Sequence, residues 1–228
     1  MEIGLVGVGR MGSVLAKLLI RHVKLCLFDR NSEHLCQMAK ELNSRMVTNL
    51  KDMEKVGILI LAVPDNEVIG CIKVFNQSPH PMIIINIATN IAQYMLDEIV
   101  ASHVKCISIK FIGQADEMAL GQRPVIIINK SPAEIVPQMI ELFERIGQVL
   151  VGEADIVHFI NKTAAKEALE AAVTIEERLR KQGITDKDII KNAIRHVAAG
   201  TLKAYADGNM GPFAREIVES VRNKLINI

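Results

Sequence analysis

The segment Gly7-Val8-Gly9-Arg10-Met11-Gly12 constrains this chain most, because it follows a short apolar run and opens an amphipathic one. A G-x-G-x-x-G pattern in that context is the strand-turn-helix fingerprint of a dinucleotide site. Gly7 permits the tight turn, Gly9 lets a pyrophosphate approach the backbone, and Gly12 lets the helix pack closely on the strand. The helix start, with Arg10 and Met11 in its first turn, offers free N–H groups and the positive end of the helix dipole to phosphates. Asp29 stands 22 residues after Gly7, at the end of the second apolar run. That is close to the spacing at which a carboxylate accepts hydrogen bonds from the adenine ribose.

The expected ligand is therefore a nicotinamide dinucleotide, since FAD proteins with this fingerprint are usually much larger. Asp29 repels a 2′-phosphate and tilts the reading to NAD, whereas Arg30 and Arg10 can each hold that phosphate, so NAD and NADP both stay open. Two later strand ends are expected to meet the rest of the cofactor. One carries Val63 and Pro64, the other Asn86 and Ala88 followed by Thr89 and Asn90. Pro64 fixes the chain where it turns, and the amide and hydroxyl groups can bind a carboxamide or a substrate; ordinary Asx or ST turns explain them equally well.

Short apolar runs alternate with amphipathic segments from residue 2 to about 151. Strands are expected at 3–8, 24–28, 58–63, 82–87, 106–109, 125–129 and 149–151, and helices at 11–22, 32–42, 91–100 and 132–146. Most strands are uniformly apolar, as in a sheet covered on both faces. The fold class expected is α/β, a Rossmann doubly wound and mostly parallel sheet, followed by a small all-α C-terminal domain. The strand signal stops after Gly152, so the domains are expected at 1–152 and 153–228, with helices over 155–181, about 185–205 and 212–227. A tail of 76 residues with an Ala-rich face is small for independent stability, which predicts a homodimer through the C-terminal helices.

Composition excludes several function classes. The 27 basic and 26 acidic residues of the 228 give no single-sign field for nucleic acid. Four isolated cysteines without a C-x-x-C pair indicate neither a metal site nor a disulfide framework, and fit a reducing, cytoplasmic setting. The apolar runs are strand-sized and the start lacks signal-peptide features, so no membrane partner is expected. With aromatics at 4% and no Trp, base or sugar stacking surfaces are excluded.

With these residues placed, the chain resembles the pyrroline-5-carboxylate reductase family, within the wider group of 6-phosphogluconate and β-hydroxyacid dehydrogenases and coenzyme-F420-dependent NADP oxidoreductases. The resemblance is carried by Gly-Val-Gly-Arg-Met-Gly at 7–12, Phe-Asp-Arg-Asn at 28–31, Leu-Ala-Val-Pro at 61–64, Ile-Asn-Ile-Ala-Thr-Asn-Ile at 85–91 and Glu-Leu-Phe-Glu-Arg-Ile-Gly-Gln-Val at 141–149. Residues 172–184 look like that family's dimerisation helix. Three segments that shape the reductases' substrate pocket differ here, at 110–114, 161–167 and 208–212. The resemblance thus implies the fold and an NAD(P)-dependent oxidoreductase acting on a small imine or keto substrate, not a proline-forming activity as such.

His158, Lys162 and Lys166 recur at i, i+4 and i+8 along one helix stripe. The β-hydroxyacid dehydrogenases place a catalytic lysine on the corresponding helix, so the resemblance nominates Lys162, then Lys166, with Thr163 as a hydroxyl donor. A solvated helix face is the competing reading of the stripe. The competing reading of the whole chain is a non-catalytic NAD(P)-binding protein with a sensing or assembly role.

Overall fold

A computed structural model of the protein describes residues 1–226, with side chains through Lys224. Eight strands form one sheet: β1 Glu2–Val6, β2 Lys24–Phe28, β3 Arg45–Met46, β4 Ile58–Leu61, β5 Met82–Asn86, β6 Val104–Ile112, β7 Val125–Asn129 and β8 Gln148–Gly152. Their order is β3-β2-β1-β4-β5-β6-β7-β8, parallel except where β7 runs against β6. The chain switches direction across the sheet between β1 and β4, the crevice where open α/β sheets bind ligands. Val6 pairs with Phe28 and Leu61, and Leu61 with Asn86, so the carboxyl ends of these strands lie at one edge. The doubly wound, mostly parallel sheet expected from the sequence is present.

The uniformly apolar strands have their reason in two cores, one on each face. Ile3, Leu5, Leu27, Ile60, Ile85, Ile107 and Ile109 point into the first. It is closed by α1 Arg10–Leu19, α2 Ser32–Leu42 and α6 Val136–Phe143, with Phe143 edge-on to Phe111 at 6.0 Å. Val6, Cys26, Leu59, Leu61, Ile84 and Cys106 point into the second, covered by α3 Asp65–Phe75 and α4 Gln93–Asp97.

Several boundaries differ from expectation. The helix α3 was not anticipated, because Val-Ile-Gly-Cys-Ile-Lys-Val-Phe at 68–75 is as apolar as a strand; Asp65 and Glu67 in its first turn are its start signal. The helix expected at 91–100 is α4 alone, held to five residues, and the one expected at 132–146 is a 3-10 turn followed by α6. The turn helices at 50–56 and α5 Ala115–Ala119, and the two-residue β3, were too short to show periodicity.

The chain divides into two compact units, residues 1–162 and 163–228. The division expected at 152 falls earlier than this, because the first turns of the long helix α7 Ile156–Lys181 belong with the sheet: Ala154 and Val157 are buried with Ile127. The second unit holds the rest of α7, then α8 Lys187–Asn192, a π-helical segment at 193–198, α9 Ala199–Ala206 and α10 Pro212–Ile226. The expected end of the last helix at Asn227 lies outside the described residues. Among the described residues of this unit, Ile190 is the one buried side chain. No helix is long and apolar enough to cross a membrane among the described residues.

Candidate functional site

The glycine loop divides into two glycines that the chain itself requires and one that it does not. Gly7 has φ +95°, and a Cβ there would stand 2.4 Å from the Ala62 carbonyl oxygen. A Cβ on Gly12 would stand 2.0 Å from the Gly7 carbonyl oxygen, so α1 rests directly on the turn. A Cβ on Gly9 would meet nothing within 4 Å. Gly9 is the residue before α1, has no side chain to cap it, and leaves the first-turn N–H groups open to an external acceptor.

A cavity of about 300 Å³ opens beside this loop, lined by Gly7, Gly9, Asp29, Arg30, Val63 and Pro64 among others. Six of the expected cofactor contacts therefore share one wall. The backbone N–H of Val8 donates to Asp29 Oδ2 and that of Asn31 to Oδ1, both at 2.7 Å. Asp29 thus ties the glycine loop to the end of β2, and each carboxylate oxygen keeps lone pairs for a further donor. Arg30 pairs with Glu67 at 2.7 Å, and Arg10 with Asp116 at 2.9 Å. Cys71 also lines the cavity; burial, and then the Glu67 carboxylate, push its thiol up, so it presents a neutral wall. An open cradle at Gly9, a carboxylate at the second strand end and unclaimed helix N–H groups fit the two ends of a dinucleotide phosphate–ribose unit.

Asn86 and Ala88 require correction. Asn86 is fully buried, and its amide donates to Ile91 O (3.1 Å) and Ser108 Oγ (3.3 Å) while its oxygen accepts from Ala88 N–H (3.0 Å). The Ala88 carbonyl in turn accepts from Lys110 Nζ. These bonds engage both residues in shaping the 87–92 loop and tying it to β6, so the structure gives them a positioning role. Thr89 and Asn90, in the same loop, line a smaller depression of about 180 Å³ with Ala92, Asp155 and His158.

Beneath that loop lies a buried polar network that reasoning from sequence missed. Lys110 is fully buried and also donates to Ile91 O at 2.8 Å. Burial pushes its ammonium down from 10.5 to about 8, although Asp155 and Asp65 pull it upward. Gln93 receives the Ser108 N–H at 2.6 Å, donates to the Cys106 carbonyl and Asp97, and gives its own backbone N–H to Asp155 at 3.0 Å. The signal was present in Cys-Ile-Ser-Ile-Lys at 106–110: Ser108 and Lys110 alternate with isoleucines and mark one polar face.

Of the basic stripe on α7, His158 lines the smaller depression beside Asp155. Lys162, Thr163 and Lys166 are exposed, and Lys166 pairs with Glu170 at 3.5 Å one turn on. Lys162 closes the first unit, next to Asn161, whose amide donates to Phe111 O at 2.9 Å.

Residues 2–90 match the model of the family described as NADP oxidoreductase coenzyme F420-dependent. No curated protein matches the sequence. Among solved structures, 1-pyrroline-5-carboxylate reductase from Streptococcus pyogenes is similar at 16% identity and TM-score 0.68, over 98% of this chain and 91% of that one. The imine reductase from Myxococcus stipitatus in complex with NADP+ is similar at 14% identity and TM-score 0.72, over 91% and 75%. Its V8 variant in complex with NAD+ gives 16% and 0.66, over 90% and 74%. The chain is thus similar in fold to pyrroline-5-carboxylate and imine reductases, with residues 2–90 also matching the coenzyme F420-dependent NADP oxidoreductase model.

Proposed function

We propose that the protein is an NAD(P)-dependent oxidoreductase that acts on a small imine or keto substrate, with NAD as its preferred cofactor. The observation that carries this reading is the empty space over Gly9 at the mouth of the 300 Å³ cavity, where both neighbouring glycines are packed against backbone. The reductase neighbours and the family match support the class of chemistry. When bound, the nicotinamide supplies or accepts a hydride. The chain's own part is to hold phosphates at the start of α1, accept the ribose hydroxyls at Asp29, and keep the 87–92 loop fixed through Asn86 and Lys110.

Lys162 is the proposed proton donor. It stands one helical turn beyond His158, which lines the smaller depression, and its ammonium can hydrogen-bond a developing oxyanion or protonate an imine nitrogen. Thr163 and Lys166 follow it on α7 as weaker candidates. The exposure of this stripe favours a second reading, a non-catalytic NAD(P)-binding protein; turnover of any imine or keto acid that Lys162→Ala abolishes would exclude that reading.

Calorimetry with NADH and NADPH tests the proposal. Binding is expected in the micromolar range or tighter, as for many cofactors, at about −8 kcal/mol. Gly9→Val is expected to weaken it by more than about tenfold, because a Cβ there would stand in the space left open for the ligand. No binding to the unmodified protein would sink the proposal.

A homodimer through the second unit belongs to the same reading. Leu169, Val173, Val197, Leu202, Phe213 and Val221 are all exposed on its helices, apolar side chains that a second copy would cover. Sedimentation is expected to show a dimer, and a monomer at micromolar concentration would refute it. The four cysteines are free and three are buried, in keeping with a reducing, cytoplasmic compartment.

A further inference from the structure

Three charged side chains share the wall of the cavity beside the glycine loop: Asp29, Arg30 and Glu67. Arg30 Nη1 donates to Glu67 Oε1 at 2.7 Å, bridging the end of β2 and the first turn of α3. The Glu67 side chain is 27% exposed and that of Arg30 73%, so the anion is the anchored partner and the cation the one held to it. Asp29, with a backbone N–H on each oxygen, is fixed beside them as a second anion. Arg10, the other cation near the loop, pairs with Asp116, whose side chain is about three-quarters exposed, against 27% for Glu67.

A ribose 2′-hydroxyl needs only an acceptor here, and Asp29 supplies one. A 2′-phosphate brings up to two negative charges next to two carboxylates, and needs the Arg30 guanidinium, held through Nη1 to Glu67, to turn toward it. From this geometry we infer that Glu67 is a cofactor-specificity residue: its carboxylate withholds Arg30 from a 2′-phosphate and so sets a preference for NAD(H) over NADP(H). The inference rests on the reading of the cavity as a dinucleotide site. Glu67 acts through Arg30, which makes it a positioning residue rather than a contact of the reacting atoms. Its position in the first turn of α3 is stabilised independently, since an acidic side chain there complements the helix dipole.

The test reads binding, not turnover. Calorimetric dissociation constants are measured for NADH and NADPH, and for 5′-AMP and adenosine 2′,5′-bisphosphate as fragments lacking the nicotinamide. Glu67→Gln keeps the shape and removes the charge. The NADPH-to-NADH ratio of dissociation constants is expected to fall about tenfold or more, the worth of one freed charge-assisted hydrogen bond, and the fragment pair should follow. In an Arg30→Ala background the same substitution should move the ratio far less, because the released partner is gone. A second arm is independent of how well Glu67→Gln folds. Glu67→Ala removes the same carboxylate without the amide and should lower the ratio likewise; a ratio unchanged in Glu67→Ala, with NADH still bound, would overturn the inference. An unchanged ratio in folded Glu67→Gln, with NADH still bound, would overturn the inference and leave the dinucleotide reading intact. Failure of the unmodified protein to bind either dinucleotide would overturn both.

Discussion

Gly12→Ala should destabilise the protein by about 3 kcal/mol, the upper range for forcing one extra carbon into a packed site. The added Cβ would lie 2.0 Å from the Gly7 carbonyl oxygen and 2.9 Å from its carbon, both backbone atoms that cannot swing aside. Relief requires α1 to lift from the turn after β1, which also disturbs Leu15, Ala16 and Leu19 in the core. Gly7→Ala should cost a comparable amount, from its φ of +95° and a contact of 2.4 Å to the Ala62 carbonyl oxygen. Gly9→Ala, by contrast, should unfold in urea within about 0.5 kcal/mol of the parent, the ordinary range for substitutions away from packed features. Equal denaturation midpoints for the Gly9 and Gly12 variants would contradict the seating of α1 on the turn.

The second large effect is a pH dependence isolated at Lys110. Its ammonium is depressed from 10.5 to about 8 by burial, so between those values the unfolded chain holds a proton that the folded chain has released. Stability therefore rises with pH across that window, on the order of 3 kcal/mol from this group alone. The unfolding free energy of the parent relative to Lys110→Met should rise by about that amount from pH 7.5 to 10.5 in urea melts. Cys106 opposes it: burial pushes its thiol up from 9.0 to about 12, so the stability it contributes below pH 9 is lost as pH rises toward 12. Both proteins carry Cys106, so its contribution cancels in the comparison. A difference that stays flat with pH would mean that Lys110 is not held in a water-excluded site.

Much of the fold was legible because its signals are local. The fingerprint, its strand and its helix sit within a dozen residues, and the apolar runs of β1, β2, β4, β5 and β7 mark strands covered on both faces. α3 was hidden because its run Val68 to Phe75 is as apolar as a strand, although the side chains it buries, Val68, Cys71, Ile72 and Phe75, fall at the helical spacing i, i+3, i+4 and i+7. The adenine side of the candidate site was legible in part, through Gly7, Gly9, Asp29 and Arg30. Glu67 was not, because its role depends on a contact 37 residues distant in sequence. Asn86 illustrates the reverse error: a polar residue at a strand end reads as a ligand contact until the loop that consumes its amide is seen. Lys110 and Gln93 form a network assembled from three separate segments, and no spacing rule brings such segments together.

The nine-residue length of β6 decides where the chain's helical half begins. Ser108 pairs with Asn86 at the carboxyl end of β5, and β6 then continues for four more residues, about 13 Å at the rise of an extended strand. The reversed β7 pairs only with that overhang, from Ile112 back to Ile109, and β8 follows it in parallel to Gly152. Two strands running the opposite way are thereby displaced along the sheet, and β8 ends level with the carboxyl ends of its neighbours. Asp155 is then within reach of Gln93 at the start of α4. A β6 as short as β5 would have left the reversed pair a strand's length lower, and α7 would start at the amino-terminal edge, away from the glycine loop. The overhang is a ruler: it lets a strand of the wrong direction deliver the next helix to the right end of the sheet.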